Sequence, residues 1–270
     1  MIREAPPRLR RFVKALWIAS SRPGAWREHV APTGEMHLAF RLHGPEVKLY
    51  SDTADTSGAA LGRAVVGGPR SCFYVKEAGS GACSAGVILR ADAAIPLLDV
   101  PPYELVDRHA PLDDFWGRDA GQALECLVSQ STPEGVLDRL EILLSARFGW
   151  GANLPLNPVV ATSLAAATAH GSVGSAVRHT GCSHRRFLEL FRGTFGLAPK
   201  TYFRLQRFRN ALDLLARGQI ASLCDLALAC GYSDQSHFNR EFLRFTGVTP
   251  AHYRAIAPVH QNHIAVTAAR

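Results

Sequence analysis

Apolar positions divide this 270-residue chain into two kinds of pattern. Up to about residue 110 they come in short runs rich in Val, Leu, Phe and Tyr: "FVKALWIAS", "MHLAFRLHG", "EVKLYSD", "SCFYVKEA" and "SAGVILRA". Gly, Pro, Asp and Ser separate these runs, which predicts strands and turns. Two helices are expected next, at about 118–130 ("RDAGQALECLVSQ") and 133–148 ("PEGVLDRLEILLSARF"), with Pro133 in the first turn of the second. "GWGANLPLNP" then reads as a linker. From 159 onward the period is helical and no strand pattern appears. The tail after Pro258 has no clear period and is expected to fray. The expected division is 1–150, a β-rich domain with trailing helices; 151–158, the linker; 159–257, an all-helical domain; and 258–270, a flexible tail.

The helical half repeats itself. "GCSHRRFLELFRGTFGLAP" (181–199) resembles "GYSDQSHFNREFLRFTGVTP" (231–250). Gly181 pairs with Gly231, and Phe187, Phe191, Gly196 and Pro199 pair with Phe238, Phe242, Gly247 and Pro250. A short helix precedes each copy, "SVGSAVRHT" (172–180) and "SLCDLALAC" (222–230).

In the second copy Ser222 and Asp225 have capping-box spacing. Leu223, Leu226, Ala227 and Cys230 form an apolar stripe, and Ala227 is small enough for a second helix to approach closely. Gly231 suits a left-handed helix stop, Ser233 a cap for the next helix, and Asp234 its positive end. Phe238, Phe242 and Phe245 then face inward at i, i+4, i+7, leaving Gln235, Ser236, Asn239 and Arg240 on another face. A helix-turn-helix offers such a face to the DNA major groove, where Arg matches guanine and Gln or Asn matches adenine. In the first copy Ser183 caps the helix and Phe187, Leu190 and Phe191 face the core. His184, Arg185, Leu188, Glu189 and Arg192 face outward; Arg185 suits guanine, Glu189 cytosine and Leu188 a thymine methyl. Between the copies, "PKTYFRLQRFRNALDLLARG" predicts a helix with Tyr202, Leu205, Phe208, Leu212 and Leu215 buried. About seventeen residues at about 1.5 Å each make a rod of about 25 Å. It would separate two reading helices by roughly one DNA turn. Arg204, Arg207 and Arg209 fit phosphate or local pairing better than base reading.

Charge supports this picture. Residues 151–270 hold 13 Lys and Arg against 5 Asp and Glu, whereas residues 1–150 hold 17 against 18. An acid-poor domain joined to a neutral one points to a polyanionic partner. No apolar run reaches the ~18 residues of a membrane span, and the basic start lacks signal-peptide features, so a cytoplasmic location is expected. The six cysteines (72, 83, 126, 182, 224 and 230) contain no C-x-x-C and read as reduced, mostly buried thiols. Cys72 with Cys83 is the one redox alternative.

The segments "LALACGYSDQSHFNREF" and "TGVTPAHYR", with Arg207, Phe208, Ala211, Leu214 and Leu215, resemble the AraC/XylS family of bacterial transcription regulators across about 159–256. The resemblance implies seven helices, two reading helices and control of transcription at promoters. Its base-facing positions fall on Arg185, Leu188 and Glu189, then on Gln235, Ser236, Asn239 and Arg240. Ala176-Val177 departs from the usual Leu-Ala order. Residues 86–117 are similar to the sensor halves of such regulators, which implies a β-rich, cupin-like or partly barrel-like domain. The expected whole is thus an α+β two-domain protein with two helix-turn-helix motifs. Its expected partners are double-stranded DNA, RNA polymerase, a small-molecule effector and a second copy of the chain. No cofactor and no metal are expected. The rival reading is an enzyme or metal-binding barrel, with His29, His37 and His43 near Glu35 and with Trp17, Trp26, Trp116 and Phe115 as pocket aromatics. A third is an architectural or repair protein, for which Cys72, Cys83 and Cys126 are sparse.

Overall fold

The computed structural model describes residues 1–21, 26–78, 81–149, 158–162, 182–218 and 222–266. The described residues among the first 111 supply ten strands: β1 (Ile2–Glu4), β2 (Val13–Ser20), β3 (Trp26–Val30), β4 (Met36–His43), β5 (Lys48–Tyr50), β6 (Ala59–Ala60), β7 (Ala64–Gly67), β8 (Tyr74–Ala78), β9 (Cys83–Leu89) and β10 (His109–Pro111). All five expected runs contain one. β3 and β7 were not expected: "WREHV" is too polar and "AVVG" too short to stand out.

The strands do not close into a barrel. They form a six-stranded sheet, β1-β2-β9-β4-β7-β10, and a five-stranded sheet, β11-β3-β8-β5-β6. Strand β4 shows why the larger sheet has two distinct faces. Met36, Leu38, Phe40 and Leu42 are buried while His37, Ala39 and Arg41 between them are half-buried, the period-2 alternation of a pleated strand. The buried face, with Leu16, Val66 and Val87, packs on two helices, α3 (Arg118–Val128) and α4 (Pro133–Phe148), through Leu127, Leu137, Leu140 and Leu144. Short helices α1 (Ala94–Leu98) and α2 (Asp113–Trp116) close its edge. As expected, Pro133 opens α4, and Thr132 caps it by accepting from the Gly135 N–H. The opposite face of the sheet, carrying His37 and His109, turns toward the smaller sheet. There the Tyr74 ring of β8 lies 4.5 Å from the His109 ring.

The carboxyl-terminal region is helical: α5 (His184–Phe195), α6 (Pro199–Ala216), α7 (Leu223–Ala229), α8 (Gln235–Thr246) and α9 (Pro250–Ile256). Helical backbone also spans 158–162. The linker over 151–157, the expected helix at 172–180 and Gly181 lie outside the described residues.

The tail departs from expectation. Residues His263–Val266 form strand β11, which pairs antiparallel with β3 in the register Ile264↔His29. The period was missed because "HIAV" has only four residues and needs an edge strand from far away in the sequence to pair with. Ile264 is fully buried among Phe208, Phe242, Tyr253 and Ala31. The last strand of the smaller sheet therefore also completes the core of the helical region. Further ties cross the same boundary. Arg209 donates to the Thr33 carbonyl and pairs with Glu35 at 2.9 Å, and Glu35 also holds Lys14. The two halves share one interface.

Candidate nucleic-acid interface

The second repeat is built around Gly231. Its φ of 76° is left-handed, which a residue with a Cβ adopts only at a cost, and it ends α7 and reverses the chain. The Tyr232 N–H returns to the Ala227 carbonyl at 2.9 Å. Ala227 is fully buried at the helix crossing, as its size predicted. The Ser222 hydroxyl caps α7 by accepting from the Cys224 and Asp225 N–H groups. One cap differs from expectation. Asp234, not Ser233, caps α8 by accepting from the His237 N–H at 2.7 Å, while the Ser233 hydroxyl donates to Asp234. A carboxylate is the stronger acceptor at a positive helix end, and these two donors hold its pKa below the usual carboxylate value.

Helix α8 is then fixed by its aromatic face. Phe238, Phe242 and Phe245 are buried, with Phe238 and Phe242 centroids 5.5 Å apart and Phe245 4.8 Å from Phe208 of α6. On the other side Gln235, Ser236 and Arg240 are exposed, and Asn239 is half-buried with its Oδ1 lacking a hydrogen bond. In the first repeat Ser183 caps α5 by accepting from the Arg186 N–H, as expected. Phe187 and Phe191 are buried against Phe195, Tyr202 and Phe203. His184, Arg185, Glu189 and Arg192 are exposed, and Leu188 is half-buried against the Phe187–Phe191 cluster. Glu189 accepts from Arg185 at 3.2 Å and lies 3.6 Å from Arg186. Between them α6 runs 18 residues from Pro199 to Ala216, ending at Gly218 with φ 63°.

The sequence reading missed one group that positions this surface. Glu241 is 5% exposed, and its two oxygens take Arg204 and Arg207 of α6, the second at 3.2 Å. A buried carboxylate keeps its charge only with such partners. The ion triad locks α8 onto α6, so of the two roles expected for Arg204 and Arg207, phosphate contact or local pairing, the structure shows local pairing. Its signal was available: position 241 is three residues after Phe238, on the rim of the apolar face.

Both repeats end against the β-rich half. Gly247 ends α8 with φ 74°, and a Cβ there would stand 2.4 Å from His29 Nδ1. The His29 ring donates to the Thr246 carbonyl at 2.9 Å. Gly196 ends α5 against Pro69 and the Pro102 carbonyl, where a Cβ would meet both at 2.9 Å.

The rival sites do not assemble. His29 is spent on Thr246, and His37 stands beside His109 with ring centroids 5.1 Å apart. Among the described residues no three His, Cys, Asp or Glu gather as a metal-ligand group. Cys72 bonds to Asp107, and burial followed by that carboxylate raises its pKa, the opposite of a reactive thiolate. Trp116 packs in the core and donates to the Leu97 carbonyl. No helix among the described residues is long and apolar enough to cross a membrane.

Helices α7 and α8 form one helix-turn-helix, and α5 sits across the rod from it with the same apolar inner face and polar outer one, the helix expected before α5 lying outside the described residues. Residues 176–256 match the profile of a helix-turn-helix domain, and residues 3–111 match a domain of unknown function, DUF6597. Relatives include the virulence regulon transcriptional activator VirF of Yersinia enterocolitica, 34% identical over 77 residues, which are 28% of either chain. The HTH-type transcriptional regulator ExsA of Pseudomonas aeruginosa is 32% identical over 77 residues, 28% of this chain and 27% of that one. Among solved structures, ToxT from Vibrio cholerae aligns with 91% of this chain and 99% of its own at 11% identity and a TM-score of 0.48. The DNA-binding domain of AdpA in complex with a target DNA aligns with 37% of this chain and 92% of its own, at 29% identity and a TM-score of 0.34. Over residues 176–256 the carboxyl-terminal region is thus similar to helix-turn-helix domains. The match spans about 28% of the length of the curated relatives.

Proposed function

We propose that this chain is a sequence-specific DNA-binding transcription regulator, not an enzyme, whose β-rich half controls how its helical half engages promoters. The observation that carries the reading is the exposed polar face of α8, Gln235, Ser236 and Arg240, standing over a fully buried aromatic face. Arg240 would take guanine, and Gln235 and Asn239 adenine. On α5, Arg185 would take guanine, Glu189 cytosine and Leu188 a thymine methyl, while His184 and Arg192 flank them. The rod α6 sets the helices to enter successive major-groove segments on one side of the duplex. Working at promoters places the protein in the cytoplasm beside RNA polymerase, and a second copy of the chain would pair half-sites. The direct contacts between the halves, Arg209 with Glu35 and β11 with β3, give the β-rich half a physical grip on the reading helices.

Binding of genomic fragments by the full chain tests this. Affinity should fall with salt at a log–log slope of about −0.9 per neutralised phosphate. Fragments retained by the wild type should share a motif. Retention of arbitrary DNA with no shared motif would contradict sequence-specific regulation.

A further inference from the structure

The first turn of α8 contains a hydrogen-bonded chain that capping alone does not need. Asp234 Oδ1 accepts from the His237 N–H and so caps the helix. Its other oxygen, Oδ2, accepts from the Ser233 hydroxyl at 3.0 Å. The same hydroxyl oxygen stands 3.1 Å from His237 Nδ1. A hydroxyl has one proton to give, and an ionised carboxylate can only accept. The carboxylate is the stronger acceptor, so the Ser233 proton goes to Asp234 and Ser233 Oγ accepts from His237. Nδ1 therefore carries the imidazole proton, and in the neutral ring Nε2 is an acceptor.

The ring is also fixed in place. It meets the Tyr232 ring edge-on, with centroids 5.3 Å apart and planes at 85°. Tyr232 is buried, and the Arg207 guanidinium of α6 lies 4.4 Å from the centroid of its ring. His237 Nε2 has no hydrogen-bond partner among the described residues and is not buried. At about 100° per residue, Ser236 and Arg240 stand at the middle of the outer face of α8, with Asn239 on one rim and His237 on the other. Burial agrees: the two rim residues are half-buried, whereas Ser236 and Arg240 are exposed. His237 also belongs to the first turn, the part of a recognition helix that meets base edges.

We propose that His237 is a specificity-determining residue of the second repeat: its Nε2 accepts from the amino group of a base, adenine N6 or cytosine N4, while Ser233 and Asp234 hold its tautomer. The assignment rests on the proposal that α8 reads DNA. Guanine and thymine present the acceptors O6 and O4 at the corresponding place, which another acceptor cannot bond. The residue therefore sorts amino from keto bases. Arg240, which can only donate, would sort them in the opposite sense. A neutral Nε2 also has no hydrogen to offer a phosphate oxygen, so its contact adds sequence preference and not general affinity.

Competition binding of the full chain to single-base variants of a fragment selected from genomic DNA tests this, at pH 8, where an ordinary histidine is neutral. At one position adenine or cytosine should be preferred to guanine and thymine by about threefold or more, the scale of one neutral hydrogen bond. His237→Phe, which keeps an aromatic ring against Tyr232, should abolish that preference and leave the others. Nitrogen-15 NMR should find the wild-type His237 proton on Nδ1. Ser233→Ala, which leaves the Asp234 cap in place, should let the proton move to Nε2 and weaken the same preference. If His237→Phe does not fold by circular dichroism, the tautomer and Ser233→Ala decide. A wild-type ring protonated at Nε2, preferences unchanged in folded His237→Phe, or an affinity loss equal on every fragment overturns the assignment. Sequence preference at other positions with none of the amino kind overturns the role of His237 alone, whereas a wild type that binds all fragments alike overturns the regulator reading.

Discussion

Glu189 and Arg240 occupy equivalent places in the two repeats, two residues after Phe187 and Phe238, and carry opposite charges. The acid of the first reading helix stands on the outer face, 3.2 Å from Arg185. The acid of the second, Glu241, is one position further on, where the first repeat has Leu190, and is turned inward to Arg204 and Arg207. One step along a helix turns a side chain through about 100°. That rotation separates an acid that competes for the reading arginine from one that braces the helix. On the proposed reading a base that takes Arg185 would first have to displace Glu189, whereas Arg240 has no ion pair among the described residues. On the proposed reading, the second repeat would be the one to discriminate bases and the first the one to tune affinity.

The contrast can be broken at its strongest point by Glu241→Leu, which gives the second repeat the residue type of the first. Two arginines lose their partner, and stability measured by urea unfolding should fall by about 3 kcal/mol, the low end for a buried pair because both arginines stay partly solvated. Next comes Arg240→Ala, which should cost about 1–3 kcal/mol of affinity for a selected site and relax one base preference. Competition binding with single-base variants of that site would measure both, and Arg185→Ala should cost less. An intact preference would remove Arg240 from the reading set.

Acid should act on one repeat only. His29, which secures the end of α8, is held below its ordinary pKa, first by burial and against the opposing pull of the Thr246 carbonyl. Its Nε2 is buried without a partner, so the ring folds best neutral. A histidine with a depressed folded pKa contributes fully at and above about pH 6.5, and that contribution is lost as pH falls below it, by at most about 1.4 kcal/mol per pH unit. Hydrogen-exchange protection, corrected for the intrinsic slowing of amide exchange at lower pH, should fall between pH 7 and 5 around residues 242–247. It should not do so around 191–196, where Gly196 rests on Pro69 and Pro102. Smallest is Glu189→Gln. Releasing Arg185 from an exposed pair should change stability by less than about 1 kcal/mol, while DNA affinity rises severalfold and any cytosine preference weakens. Titration at fixed salt would show it.

Much of this was written in local patterns. The Phe spacing, the turn at Gly231, the caps Ser222 and Ser183, and Pro133 each follow from contacts within a few residues, and each holds in the structure. What stayed illegible depends on partners far apart in sequence. Strand β11 exists only because β3, more than two hundred residues earlier, offers an edge. The ring contacts between the sheets bring together His37, Tyr74 and His109 from three strands, and no spacing among them announces it. The Asp234 cap differs for a smaller reason: Ser and Asp are both good caps, and only the helix start decides between neighbours.

Hydroxyl-radical footprinting of the full chain on a selected fragment, repeated with Arg240→Ala, tests the central claim most directly. Two protected stretches about one helical turn apart on one face of the duplex are expected, with the variant losing discrimination at one base in only one of them. A single stretch, or a variant that protects and discriminates as the wild type does, would contradict a tandem reader whose second helix reads bases through its outer face.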